Sequence, residues 1–253
     1  MVLLGPFVTS MLVLLSNVEA VRAPASQGKV QEEMRWHGWV PGGQVVEINN
    51  VHGNVRAEPS ESDEIEVIAL KRGTGDPEEV AIEVVEHKGG VTICAVYPNA
   101  NAEHPFECRP SHGGGFRLAA TSDSEAHIRW ENGGRGDILL NGMTVDFVVR
   151  LPKRLRFLAR TIDGEVSAHL LEQDVEAHSV SGDVSVDMNG SLGADVRAET
   201  AMGEVESEFP LAKRLDPNRG VFVSGHVGHD LGHAHRLIRL KTGTGNIHLD
   251  RVF

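Results

Sequence analysis

Hydrophobic and polar residues alternate in five segments of this chain, and each segment has a glycine at the same offset. The shared template is apolar, any, apolar, any, Thr/Ser/Asn, any, any, Gly, any, Val/Ile, any, small or apolar. The copies need no internal gap and occupy residues 46–57, 157–168, 175–186, 196–207 and 238–249. Because the side chains of a strand alternate between its two faces, this pattern predicts a strand, a tight turn and a second strand with one buried face.

The three central copies begin 18 and then 21 residues apart. Such intervals are typical of solenoid coils, whose apolar stripes are buried only when the coils stack. We therefore predict an all-β fold, a β-solenoid or β-helix-like stack of short strand-turn-strand repeats. Val166, Val184 and Val205 should then lie side by side, about 4.8 Å apart. A meandering β-sandwich with similar hairpins is the alternative.

Apolar alternation outside the copies predicts further strands and one long connection. The strands are expected at 65–72, 80–87, 90–97 and 144–152. Residues 98–142 are rich in Gly and Asn, which is typical of a long surface excursion.

The N-terminal residues have the pattern of a secretory signal peptide. Residues 1–20 contain an apolar run from Phe7 to Leu15 and end at a small residue, although they have no Lys or Arg. We expect an exported protein, located in the periplasm, at the cell surface or in the medium. A buried strand or an uncleaved anchor is the alternative. The run is shorter than the roughly 20 residues of a transmembrane helix, so no membrane span is expected beyond this segment.

Domain organisation follows from the positions of the copies. Because copies flank the irregular part on both sides, residues 45–253 are expected to form a single domain. Residues 21–44 are expected to be an N-terminal linker.

Charge and cysteine content narrow the possible partners and the compartment. The 253-residue chain has a net charge of −12, which argues against nucleic acid as a partner. Cys94 and Cys108 enclose a loop rich in Pro, Asn and His, and a disulfide between them would stabilise the fold in an oxidising compartment. A buried Cys94 with an unrelated Cys108 is the alternative. Neither cysteine has the spacing of a zinc module.

The repeats also carry a family resemblance. The segment LPKRLRFLARTIDGEVSAHLLEQDVEAHSVSGDVSVDMNGSLGADVRAETAMGEVES, residues 151–207, resembles the bacterial adhesin-like β-strand repeat family called domain of unknown function 4097. The resemblance lies in Leu-Pro before a Thr-x-x-Gly-x-Val copy and in Ser-Gly-Asp-Val in the next, and it extends from about Val45 to Leu249. It implies a solenoid-like fold in an envelope or extracellular setting. It transfers no catalytic residue, because the family has no general catalytic motif.

The residue after the template glycine is acidic in three successive copies, as Glu165, Asp183 and Glu204. If the copies stack in chain order, three carboxylates stand one strand spacing apart and should raise one another's pKa or bind a cation. Calcium favours carboxylate oxygens, and acids about 5 Å apart also suggest the pair of a retaining glycosidase. A solvated turn, where acidic residues are common, is the alternative.

A histidine-rich segment is a candidate zinc site. Residues 226–235 include His226, His229, His233 and His235. Imidazole binds zinc readily, and the last two side chains would point to one side of a strand. A solvated glycine-rich loop is the alternative.

Charged residues at matching offsets predict cross-strand ion pairs. Glu176 and Arg197 occupy the same offset in successive copies, so we expect them to pair. The basic run that ends at Arg160 should form the outer face of a strand and pair with nearby acids.

Function must be inferred from surfaces, because no catalytic motif is present. No Ser, His and acid set has a nucleophile context such as G-x-S-x-G, and no cofactor is expected. We expect a non-enzymatic, adhesin-like protein that binds an envelope protein, a polysaccharide or a second copy of itself. The alternatives are a carbohydrate hydrolase or lyase on a short β-helix, or a calcium-stabilised interaction module. One Tyr and three Trp are few for a sugar-binding groove.

Overall fold

The computed structural model describes residues 29–98, 107–110, 116–121, 125–130, 135–169, 172–191, 193–217, 220–228 and 236–252, and gives only the backbone of 116–121, 125–130 and 135–138. These residues form twenty strands and one 3-10 turn, Pro77–Glu79. Nowhere in these ranges is there a helix of the length and apolar character that a membrane span requires.

The strands of the first half are β1 (Val30–Gly38), β2 (Val45–Asn49), β3 (Val55–Pro59), β4 (Ile65–Gly73), β5 (Ala81–His87), β6 (Gly90–Val96), β7 (Phe116–Thr121), β8 (Glu125–Trp130), β9 (Arg135–Leu139) and β10 (Met143–Leu151). Those of the second half are β11 (Arg156–Asp163), β12 (Val166–His169), β13 (Val175–Ser181), β14 (Val184–Asn189), β15 (Ala194–Met202), β16 (Val205–Ser207), β17 (Ala212–Asp216), β18 (Gly220–Val227), β19 (Arg236–Thr244) and β20 (Ile247–Val252).

The strands form two large sheets and one small one. Sheet A has the order β1-β4-β10-β3-β12-β14-β20-β16, and sheet B has the order β17-β18-β15-β19-β13-β11-β2-β6-β5. Sheet C is the antiparallel meander β7-β8-β9. The all-β class is therefore confirmed.

The predicted β-solenoid is not confirmed, because both large sheets are mixed and they do not form a closed solenoid. Their central strands are parallel, but antiparallel strands such as β4 in sheet A and β18 in sheet B lie toward the ends. Each of the five copies places its first strand in sheet B and its second strand in sheet A, so equivalent strands do stack.

The copies stack in an order that differs from their order in the chain. Val55 pairs with Val166, Val166 with Val184, Val184 with Ile247, and Ile247 with Val205. The fifth copy therefore lies between the third and the fourth. Val166 and Val184 are neighbours as predicted, whereas Val205 is two strands away from Val184.

The template glycine and hydroxyl residue have a shared role in this stack. Gly182 has a φ of +144°, and a Cβ there would lie 2.1 Å from the carbonyl oxygen of Gly164 in the neighbouring copy. That same oxygen accepts a hydrogen bond from the Ser179 hydroxyl at 2.8 Å. Equivalent hydroxyl-to-carbonyl bonds join the other copies in stacking order, from Thr161 to Gly53, Thr242 to Gly182 and Thr200 to Gly245. The motif thus joins neighbouring copies.

Two segments contain strands that the sequence pattern does not predict. Residues 30–38, expected to be part of a linker, form β1, which pairs with β4 and packs Met34 and Trp36 against the core. The excursion 98–142 contains the three strands of sheet C. The strands predicted at 65–72, 80–87, 90–97 and 144–152 are confirmed as β4, β5, β6 and β10.

The inward side chains of sheets A and B meet in one hydrophobic cluster that runs through all five copies. Ala177 and Val196 of sheet B and Val186 and Leu249 of sheet A are at most 2% exposed. Because the two sheets share this core, their outward side chains face opposite sides of the molecule.

Candidate functional site

The acidic column is split by the stacking order. In stacking order the column consists of Asn54, Glu165, Asp183, Asn246 and Glu204, because the fifth copy lies between the third and the fourth. The three carboxylates predicted to be consecutive are therefore a pair and a separate residue. Burial, and secondarily the Asp183 carboxylate, raise the pKa of Glu165.

Side chains of this column cap the turns of neighbouring copies. The Asp183 carboxylate accepts a hydrogen bond from the Asn246 backbone N–H at 2.7 Å, and the Asn246 side chain accepts one from the Glu204 N–H at 3.0 Å. Asn54 accepts one from the Glu165 N–H at 2.8 Å. Within the described ranges, no three His, Cys, Asp or Glu side chains are arranged to hold a metal ion. Calcium binding stays a prediction.

Of the predicted zinc ligands, the structure places His226 alone. This residue lies in β18, and its Nδ1 is 3.0 Å from Oδ1 of Asp195. His229, His233 and His235 lie outside the described residues. The zinc site therefore stays a prediction.

The two cysteines are joined by a disulfide between Cys94 and Cys108, with the Cα atoms 5.6 Å apart. Cys94 lies on β6. The Sγ of Cys108 lies 3.9 Å from the backbone carbonyl oxygen of Glu83 on β5. The bond anchors the chain after residue 106 to this end of sheet B.

A buried ion pair lies on the outer side of sheet B. Arg160 and Glu47 are 3% and 2% exposed, and Nη1 lies 2.9 Å from Oε1. The Thr92 hydroxyl and the Asn49 amide also donate to the Glu47 carboxylate. Arg160 thus pairs with acids as expected, but it is buried. Removing one member of such a pair typically costs about 3–5 kcal/mol.

The predicted pair between Glu176 and Arg197 is wrong. Arg239 of the inserted fifth copy lies between them, because it pairs with Glu176 on one side and with Arg197 on the other. Glu176 instead contacts Arg160 at 3.4 Å and Arg239 at 3.8 Å. Arg197 consequently stands directly beside another arginine.

Arg197 and Arg239 line a groove of about 710 Å³ on the outer side of sheet B. The groove is formed by β13, β19, β15, β18 and β17. We call it the basic groove. Five of its lining residues are Lys or Arg and two are acidic: Arg197, Lys213, Arg214, Arg239 and Lys241 against Glu199 and Asp216. The sequence shows no such cluster, because its members come from three strands that are separated in the chain, β15, β17 and β19.

The cations of the basic groove are only partly neutralised within the chain. Lys241 lies 3.7 Å from Glu199, and Arg239 shares Glu176 with Arg160. Arg197 and Arg214 are exposed and form no ion pair with any described residue. The groove therefore has a positive surface on a chain whose net charge is −12.

His178 lies in this groove beside several cations. The side chain lies in β13 between Arg160 and Lys241 of the adjacent strands. Burial, and then the charges of Arg160, Lys241 and Arg239, lower its pKa to about 3. His178 is therefore neutral at physiological pH and adds no charge of its own.

The outer side of sheet A has the opposite character over the same copies. The outward positions of β12, β14, β20 and β16 contain no Lys or Arg. We call the four carboxylates here the acidic face, and they are Asp187, Glu206, Glu208 and Asp250.

Two carboxylates of the acidic face stand side by side. Asp187 and Asp250 pair directly across β14 and β20. Burial and the nearby Asp187 and Glu208 carboxylates raise the pKa of Asp250. His169 contacts Asp187 at 2.6 Å and His248 contacts Glu206 at 3.2 Å.

Comparisons with known proteins give no family for the chain. No protein-family model matches it, and no curated protein does. A candidate cell adhesion protein of Clostridium sporogenes has a similar structure over 87% of this chain and 100% of its own, with 12% identity and a TM-score of 0.44. A candidate adhesin of Bacteroides fragilis covers 87% and 97%, with 8% identity and a TM-score of 0.26. Neither likeness is high enough to carry an argument, and the resemblance to domain of unknown function 4097 stays a prediction.

Proposed function

We propose that this protein is a non-enzymatic, adhesin-like binding protein whose binding surface is the basic groove and whose partner is anionic. The observation that carries the proposal is the position of Arg197 directly beside Arg239 on the outer side of sheet B. Like charges directly opposite one another on a sheet are destabilising. An anionic group bound between the two guanidinium groups would relieve that repulsion.

The chemistry of arginine favours particular anions. A guanidinium group presents a planar fork of donors that matches carboxylate and other oxyanions in two parallel hydrogen bonds. The volume of the groove, about 710 Å³, is within the usual range of ligand sites. We therefore assign it to carboxylate-bearing groups of a larger partner.

The groups in the groove suit binding better than catalysis. A general acid or base works best with a pKa near the operating pH. His178 has a pKa far below that range, and Glu199 is paired with Lys241. In the acid column Asn246 separates Glu204 from the other two carboxylates, and its backbone N–H donates to the Asp183 carboxylate, so this column favours a structural role over a catalytic pair.

An oxidising location is part of the proposal. Disulfides persist in exported proteins and are rare in the cytosol. The bond between Cys94 and Cys108 therefore supports a place in the periplasm, at the cell surface or in the medium. We also propose that 45–253 act as one domain, because a single core cluster runs through all five copies.

The proposal is tested by titrating the disulfide-intact protein with polygalacturonate, a carboxylate-bearing polysaccharide, and with neutral dextran. We expect binding of polygalacturonate alone, weakened by salt because exposed charges are screened. Arg197→Gln/Arg239→Gln should reduce the affinity about tenfold, since about 1.4 kcal/mol corresponds to that factor.

The matched control removes the same charge far from the groove. Lys29→Gln/Lys88→Gln changes two exposed lysines outside the basic groove. Equal loss of affinity in both variants, or no binding of polygalacturonate by the unaltered protein, would refute the proposal.

A further inference from the structure

We propose that the anionic partner of the basic groove is the acidic face of a second copy of this chain, so that copies join head to tail. This inference rests on the proposed function, because it uses the same groove. It adds the identity of the partner and the geometry of the assembly.

Each surface carries a pair of like charges that contacts within the chain neutralise only in part. Arg197 and Arg239 are adjacent on sheet B, and Asp187 and Asp250 are adjacent on sheet A. Each pair places like charges directly across neighbouring strands, which is unfavourable in the isolated chain. Contact between an acidic face and a basic groove relieves both repulsions at once.

The edge of the acidic face is accessible to such a contact. Glu206 lies in β16, the edge strand of sheet A, and its side chain is 68% exposed. Glu208 follows on the same edge and is also exposed. These projecting carboxylates are suited to enter a groove where Arg197 and Arg214 have no ion-pair partner among the described residues.

The placement of the two surfaces decides the kind of assembly. They lie on opposite sides of the same stack, because sheets A and B share one core. A contact between two different surfaces of identical chains is heterologous, and it continues into a ring or an open filament. The structure therefore assigns this chain to an extendable assembly rather than to a two-fold dimer.

The first test measures self-association of the disulfide-intact full chain by sedimentation velocity over a range of concentrations and salt. We expect species larger than a dimer at low salt and monomers at high salt, because complementary exposed charges are screened. A protein that stays monomeric at about 1 mM in low salt refutes the inference.

The second test uses two neutralising double variants. Arg197→Gln/Arg239→Gln removes the charge of the groove, and Asp187→Asn/Asp250→Asn removes charge from the acidic face. Each variant keeps one functional surface and loses the other. We expect each to be monomeric alone, whereas a 1:1 mixture forms heterodimers and nothing larger.

Controls separate this outcome from a general effect of charge or folding. Lys29→Gln/Lys88→Gln and Glu61→Gln/Glu64→Gln alter exposed residues away from both surfaces and should assemble like the unaltered protein. Thermal unfolding of every variant checks that it is folded. Assembly unchanged in the groove variant, or no heterodimer in the mixture, overturns the inference.

Failure of the inference is distinguishable from failure of the proposed function. If the protein binds polygalacturonate through Arg197 and Arg239 but never self-associates, its partner is an acidic polysaccharide. That result refutes the self-assembly inference and leaves the proposed function standing. A protein that does neither refutes both.

Discussion

Replacing Gly182 with alanine should open the stack at its centre. The added Cβ would lie 2.1 Å from the carbonyl oxygen and 2.6 Å from the carbonyl carbon of Gly164. Both atoms are backbone, so no side-chain rotation can relieve the contact. An ordinary contact between a carbon and a carbonyl oxygen is about 3.3 Å or longer, and the third copy must therefore move away from the second by roughly 1 Å.

The magnitude follows from the strain and from the hydrogen bonds across this junction. The φ of +144° is unfavourable for alanine, at a cost of about 1–3 kcal/mol. The Ser179 hydroxyl bond to Gly164 and the Gly164 N–H bond to Ser181 span the same gap, at 2.8 and 2.9 Å. Each is worth about 0.5–1.5 kcal/mol. We expect the free energy of unfolding to fall by about 2–6 kcal/mol.

Urea unfolding followed by circular dichroism measures this change, and the midpoint of thermal unfolding should fall by at least about 4 °C. The matched control is Gly89→Ala, where a Cβ would meet only the His87 ring at 3.4 Å. That control should stay within about 0.5 kcal/mol of the unaltered protein. If Gly182→Ala lowers the free energy of unfolding by less than about 1 kcal/mol, carbonyl contacts do not hold the copies in register.

Two further predictions test the stacking order and the acidic face. Ser185→Cys/His248→Cys should form a disulfide on oxidation, because the two residues pair on adjacent strands; Ser185→Cys/Glu206→Cys should not, because two strand spacings, about 9.6 Å, exceed the reach of a disulfide. Peptide mass mapping without reduction distinguishes them, and the opposite result means that the copies stack in chain order. Asp250→Asn should increase the free energy of unfolding at neutral pH, because a raised folded-state pKa makes the ionised carboxylate destabilising above that pKa. The gain should vanish as the pH falls below the ordinary Asp value of about 3.9, and a gain that is constant with pH would contradict this origin.

Local features of the fold could be predicted from the sequence because they depend on local chemistry. Alternation places Val184 and Val186 on the buried face, and both are at most 1% exposed. The glycine and hydroxyl positions of the template could be recognised as structural because they recur at fixed offsets. At each of the four junctions between copies, a Ser or Thr hydroxyl donates to a glycine carbonyl.

The stacking order could not be predicted, because the template residues are chemically equivalent from copy to copy. The Gly182 carbonyl accepts its hydrogen bond from Thr242, but Thr200 carries an identical hydroxyl at the same template position. Nothing in the two copies distinguishes the right neighbour from the wrong one. The predicted pair of Arg197 with Glu176 is wrong because the prediction assumes that copies stack in chain order.

The strand β1 could not be predicted, because hydrophobic and polar residues do not alternate strictly along it. The positions that turn toward the protein include Glu32 as well as Met34 and Trp36. Glu32 is held there by Lys71, with Oε2 2.9 Å from Nζ. A partner that supplies the opposite charge is not visible in the strand's own sequence.

The inserted fifth copy determines when this protein can finish folding. β19 and β20 are synthesised after every other described strand, yet they lie in the interior of both sheets between strands made earlier. Until they are made, the native strand between β13 and β15 is missing, and the unpaired edges of the incomplete stack can misassemble or bind chaperones. A premature stop before residue 236 would accordingly remove the middle of the structure rather than trim its end.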